Sequence, residues 1–214
     1  MTQAPTGANF ASPLSTYSPV ESLPPAGPEP DLKTRALWIK AREIWDRCDD
    51  QRAFRAFVPA DYEEVYQALA RLKGRLATVL EWGSGLGVVT IMASNLGFEA
   101  YGIEHEPQLV EWSRKLAKEF GPRAQFVTGS FIPREYEWNP RTADESFRSD
   151  VDAEPAYDGL DMELRDFDLV YAFPWPDEQP LCRDILRQCG RKNTLFLTYD
   201  AREGCLLRRV SDRD

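Results

Sequence analysis

Histidine is all but missing from this 214-residue sequence, with His105 standing alone. Zinc sites draw on His and Cys at close spacing, and the four cysteines, Cys48, Cys182, Cys189 and Cys205, contain no C-x-x-C pair. No metal centre is expected, and reduced thiols are. No apolar run approaches the roughly 20 residues that span a bilayer. The N-terminus lacks the basic start and apolar stretch of a secretory leader, so a cytoplasmic protein is the expectation. Positive charge is also in deficit, with 26 Lys and Arg against 35 Asp and Glu for a net charge of −9. Gripping phosphates takes clustered cations, so a broad nucleic-acid surface is not expected. A basic partner suits an acidic protein better.

What is present suggests three parts. Residues 1–30 hold seven prolines among Ala, Ser, Thr and Gly. They read as a disordered tail, too poor in apolar surface to offset the entropy of ordering. Residues 31–75 read as two N-terminal helices. In the first, Trp38, Ala41, Trp45 and Cys48 form an apolar stripe, placed to pack over a ligand cleft. In the second, Asp61 and Glu64 resemble a capping box ahead of Val65, Leu69 and Leu72. From residue 76 to 214 strands and helices alternate. Strands are read at 76–81, 98–104, 124–128, 168–173 and 194–199, with 205–210 as a further candidate. Helices are read at 87–96 and from Pro107 to Phe120. A last helix is read through Cys182, Ile185, Leu186 and Cys189, whose spacing explains two cysteines as core residues. Near-continuous apolar strands in βα units predict an α/β fold with a doubly wound, mostly parallel sheet. Residues 134–166 break the rhythm, with eleven acids against four arginines. They read either as a solvated insertion or as a lid and acidic recognition surface.

The chemistry concentrates at Glu81-Trp82-Gly83-Ser84-Gly85-Leu86-Gly87, between the first strand of the repeating part and its helix. Glycines let a turn approach a ligand closely, and the helix N-terminus offers unpaired N–H groups. Glu104 follows Gly83 by 21 residues at the end of the next strand, where a carboxylate can accept from both hydroxyls of a ribose. The G-x-G-x-G spacing differs from the G-x-G-x-x-G that suits a pyrophosphate. Glu81 would repel that group and attract the ammonium of S-adenosylmethionine.

On these residues the sequence resembles the class I S-adenosylmethionine-dependent methyltransferases, roughly over residues 57–199. Glu81 to Gly87 looks like their first motif, and Tyr101 to Glu104 like the strand ending in the ribose acid. Val127 to Phe131 looks like the third motif and Asp168 to Pro176 like the fourth. The resemblance implies a seven-strand Rossmann-like sheet with S-adenosylmethionine as donor. The glycine turn (Gly83, Ser84, Gly85, Gly87) and Glu81 would take the methionine part and Glu104 the ribose, with His105 at the border. Ser130 and Phe131 would take the adenine. Tyr171, Phe173, Pro174 and Trp175 would lie at the methyl acceptor, with Asp177 and Glu178 as further proton-acceptor candidates. Three departures matter. Ser130 stands where many members carry an acid. Phe173 replaces the Asn or Asp of amino-methylating members, so methylation of nucleic-acid amino groups is not supported. The terminal hairpin is expected to be shortened. A narrower likeness, at Phe57 to Ala60, Gly102 to Glu104, Leu109-Val110 and Ser113-Arg114, is to small protein-lysine methyltransferases without that hairpin. The expected function is therefore methyl transfer to an unassigned acceptor, a protein lysine or a small molecule. A noncatalytic binder of the same nucleoside and an NAD-dependent oxidoreductase are the alternatives.

Overall fold

The computed structural model describes residues 17–19, 27–54, 57–138 and 154–210. Two helices come first, α1 (Leu32–Cys48) and α2 (Tyr62–Leu72). Asp31 starts α1 by accepting a hydrogen bond from the Thr34 N–H at 2.8 Å, and Asp61 starts α2 by accepting from the Glu64 N–H at 3.1 Å. The capping box is one-sided, because the Glu64 carboxylate accepts instead from the Cys205 N–H at 2.6 Å. The buried stripe of α1 is Thr34, Leu37, Ala41 and Ile44, one position away from the expected one. Trp38 and Trp45 flank it, and the indole N–H of Trp38 donates to the sulfur of Met92. Consequently α1 packs against the helices of the main sheet and does not cover the cavity described below.

The repeating part follows the expected order. It runs β2 (Thr78–Trp82), α3 (Val88–Leu96), β3 (Glu99–Glu104), α4 (Pro107–Phe120) and β4 (Gln125–Thr128), then β5 (Leu169–Ala172), α5 (Gln179–Cys189), β6 (Leu195–Asp200) and β7 (Gly204–Val210). Tyr17–Pro19, inside the stretch read as a tail, forms a short strand, β1, antiparallel to β7. Residues 1–16 and 20–26 of that stretch lie outside the described residues. The sheet order is β1-β7-β6-β5-β2-β3-β4. The pairs among β2 to β6 are parallel and β7 is antiparallel to both neighbours, so β7 alone runs against the other six. β6 and β7 are joined by three residues and pair antiparallel over six, with β1 outside them.

Alternation along the strands sends side chains to two cores. Val79, Leu169, Tyr171 and Leu197 face the side carrying α1 to α4, whereas Leu80, Trp82, Val170 and Phe196 face α5. The crossover from β4 to β5 has no α-helix among its described residues. Two short 3-10 turns, Tyr157–Leu160 and Leu164–Asp166, cover the second face instead, and Tyr157, Leu164 and Phe167 are buried there. The described parts of the acidic segment are thus a structural layer. Its other residues, 139–153, lie outside the described residues.

Candidate functional site

Sheet order reverses between β2 and β5, and open α/β sheets bind ligands in the crevice outside the carboxyl ends of such strands. A cavity of about 1000 Å³ opens there. Its wall brings together Glu81, Gly83, Ser84, Glu104, His105, Ser130 and Phe131 with Tyr171, Phe173, Pro174 and Trp175. Gly85 and Gly87 do not line it. Gly85, at φ +52°, lies under the ring of Phe57, which would stand 2.2 Å from a Cβ at that position. Gly87, at φ +74°, is closed in by Phe126 and Ser113. These two glycines serve close packing in left-handed turn geometry, while Gly83 has nothing within 4 Å of the position a Cβ would take.

The two expected carboxylates both accept backbone hydrogen bonds, Glu104 from the turn and Glu81 from the first turn of α3. The Glu104 carboxylate accepts from the Gly85 N–H at 2.8 Å and from the Glu106 N–H at 2.9 Å. Burial raises its pKa, partly offset by those backbone bonds and by His105. Glu81 is 5% exposed and accepts on one oxygen from the Thr90 N–H at 2.8 Å and the Thr90 hydroxyl at 2.5 Å. It thereby supplies the cap that Gly87, lacking a side chain, does not give to α3. Burial pushes the Glu81 carboxyl up to about 8 despite the Thr90 bonds, with Glu104 adding to the rise. Burial likewise raises Tyr62, with Glu81 adding. Ser84 is 3% exposed, and its hydroxyl has no hydrogen-bond partner.

Further along the crevice, the Ser130 hydroxyl accepts from the Ile132 N–H at 3.2 Å. Phe131 stacks on Trp82 with centroids 4.9 Å apart. The indole N–H of Trp82 donates to the Tyr157 hydroxyl, which donates to the Phe131 carbonyl, so a residue of the acidic segment fixes this corner. After β5, Phe173 meets Tyr199 edge to face at 5.0 Å. Asp168, at the opening of the segment likened to the fourth motif, lies at the opposite end of β5. There it accepts from the Ala77 and Thr78 N–H groups and pairs with Arg191.

Sequence reasoning did not place three parts of the wall at the site: Phe57 with Tyr62, Arg52, and the β6–β7 turn from Asp200 to Glu203. Their signal was slight, because the turn is short and polar and Phe57 is separated from the glycines by 26 residues. Among the described residues, six carboxylates, Glu81, Glu104, Glu106, Glu178, Asp200 and Glu203, share the wall with two guanidinium groups, Arg52 and Arg202. The cavity is acidic.

The fold is that of solved methyltransferases. An RNA methyltransferase from Salinibacter ruber, in complex with S-adenosyl-L-homocysteine, superposes with a TM-score of 0.51 at 18% identity over 73% of this chain and 96% of that one. A methyltransferase from Geobacter sulfurreducens gives 0.51 at 17% identity over 86% and 92%. A 58-residue stretch is 41% identical to a lysine N-methyltransferase of Xenopus laevis that is named for ATP synthase. That match covers 27% of this chain and 26% of the relative, about a quarter of its length. No family model matches the sequence. Among the described residues no helix is long and apolar enough to cross a membrane.

Proposed function

We propose that this chain is an S-adenosylmethionine-dependent methyltransferase whose acceptor is an aliphatic amine, in the first place the lysine side chain of a protein. The observation that carries the reading is the acid ending β3, Glu104, bonded to the glycine turn after β2 on the wall of one open crevice. Three features of the wall fit the donor. Gly83 leaves space where a Cβ would stand, the Ser84 hydroxyl lacks a partner, and Glu81 is a buried carboxylate whose two bonds from Thr90 bring no positive charge. Burial raises the Glu81 pKa to about 8, and an ammonium beside it would favour the ionised form, so the donor's ammonium suits this carboxyl. The Glu104 carboxylate offers about four acceptor sites, more than the backbone N–H groups of Gly85, Glu106 and His105 use, which leaves room for a sugar hydroxyl. Ser130 and Phe131 border the position expected for adenine.

When bound, S-adenosylmethionine supplies a methyl group already activated on a sulfonium centre. The residues of this chain are left to align the acceptor and shape the charge around it. An acid-rich wall draws an amine in its cationic form and repels phosphate, which favours an amine in a protein over a nucleic acid. The amine must then give up a proton, to a carboxylate of the wall or to water, because an ammonium has no lone pair with which to accept a methyl group. The short stretch matching a lysine N-methyltransferase supports the same class.

The direct test incubates the full chain with methyl-tritiated donor and fractionated cell extract, followed by hydrolysis and amino-acid analysis. Tritium in methyl-lysine is the expected result. Binding of S-adenosylhomocysteine without label in any fraction would identify a noncatalytic binder.

A further inference from the structure

We infer that Tyr157, a residue of the acidic segment, is a positioning residue for the adenine of the donor. It holds Trp82 and Phe131 in the stacked pair that the base would meet. The inference rests on the methyltransferase reading and adds to it a residue from outside the βα units.

Phe131 borders the position expected for adenine, and Phe131 and Trp82 both line the cavity. Their rings lie within 20° of parallel, with Trp82 buried and Phe131 half-buried. A flat aromatic pair, open on one side to a cavity, suits the face of a purine. The pair is pinned by a single hydroxyl. An indole N–H can only donate, and that of Trp82 donates to the Tyr157 hydroxyl at 3.1 Å. That hydroxyl keeps its own hydrogen for the Phe131 carbonyl, at 2.7 Å. One oxygen therefore ties the side chain of the first ring to the backbone of the second. Without it the buried Trp82 N–H would lack an acceptor and Phe131 would lose its tether. The loop carrying Ser130 and Phe131 is held by the same segment. The Ser130 N–H donates to the Glu154 carbonyl and the Ala156 N–H to the Ser130 carbonyl, each at 2.9 Å. Gly129, at φ +149°, permits the approach, because a Cβ there would stand 2.8 Å from the Glu154 carbonyl oxygen. Gly129, Ser130 and Phe131 thus take their places from residues 154–157. These contacts use backbone groups and one phenol, and burial holds that phenol protonated, well above its ordinary pKa of 10. The hold on adenine is accordingly independent of pH near neutrality, which separates it from the effect of Glu81.

The test compares two ligands on the full chain by calorimetry: S-adenosylhomocysteine, and S-ribosylhomocysteine, which keeps the amino acid and the sugar but lacks the base. Tyr157→Phe keeps the ring and removes only the hydroxyl. It should weaken S-adenosylhomocysteine about tenfold, equally at pH 6 and pH 8, and leave S-ribosylhomocysteine within twofold. A merely structural role would weaken both ligands together. A second measurement needs no change at Tyr157. In isotope-labelled wild type, the Trp82 indole N–H signal, assigned by its absence from Trp82→Phe, should move on saturation with S-adenosylhomocysteine and stay in place with S-ribosylhomocysteine. Unchanged S-adenosylhomocysteine affinity in Tyr157→Phe, equal losses for both ligands, or an indole signal indifferent to the base would overturn the inference and leave the methyltransferase reading standing. Wild type that binds no S-adenosylhomocysteine would refute that reading, and the inference with it.

Discussion

Glu81 combines a structural bond and a carboxyl whose ionisation burial opposes in one side chain. Its Thr90 bonds cap α3, while burial holds its pKa near 8 against an ordinary 4.5. Between those values the native state keeps a proton that the unfolded chain has lost, so this group's contribution to stability is present below pH 4.5 and is lost as pH rises through 8. A bound ammonium favours the ionised form, which reverses the trend for the complex. Affinity for S-adenosylhomocysteine should therefore climb from pH 6 to 8, by at most about tenfold per unit for one proton, and flatten above. Calorimetric titrations at pH 6, 7 and 8 should show a shallower slope for Glu81→Gln, whose amide oxygen still accepts from Thr90. Glu104→Ala is the harsher change. It removes the proposed ribose acceptor and leaves the Gly85 and Glu106 N–H groups unpaired, with hydrogen bonds to a charged partner worth about 1.5–3 kcal/mol. A 10- to 100-fold loss of affinity is expected, together with a lower Tm. Unchanged affinity in that variant would remove Glu104 from the site.

At the scale of elements, the sequence was legible wherever a local rule and the tertiary fold agreed. Asp31 and Asp61 mark helix starts, Pro107 opens α4, and Gly97 stops α3, because capping and turn chemistry are decided within a few residues. The glycine turn and the distal acid were legible for the same reason, since one βαβ unit brings them together. Contacts between distant segments were not. Phe57 covers Gly85 and Glu64 reaches Cys205 without any trace in periodicity. The acidic segment was the largest omission, because its charges hid a spaced apolar set, Tyr157, Leu160, Leu164 and, at its edge, Phe167. Phe167, fully buried, and Leu164 belong to the core on the α5 side. Phe167→Ala should cost about 3–5 kcal/mol, a core penalty that a solvated loop would not show. Urea titration checks it, and a loss below about 1 kcal/mol would return the segment to the loop class.

On the scale of the whole molecule, the crevice is walled by segments that the chain order separates widely: Phe57 and Tyr62, the turns after β2, β3 and β4, and the ends of β5 and β6. A ligand contacting several of them ties α2 to the sheet and opposes global unfolding. That coupling separates the remaining readings without knowledge of the acceptor. S-adenosylhomocysteine at 100 times its dissociation constant should add about 2.7 kcal/mol of stability. For a domain of this size each kcal/mol moves Tm by roughly 2–4 °C, so a rise of about 5–11 °C is expected in scanning calorimetry. NAD at the same concentration should leave Tm in place, because its pyrophosphate would meet Glu81 and Glu104 on an acidic wall with the wrong glycine spacing. A larger shift with NAD than with S-adenosylhomocysteine would mean that the switch-point crevice serves hydride chemistry, and that the likeness to methyltransferases ends with the sheet.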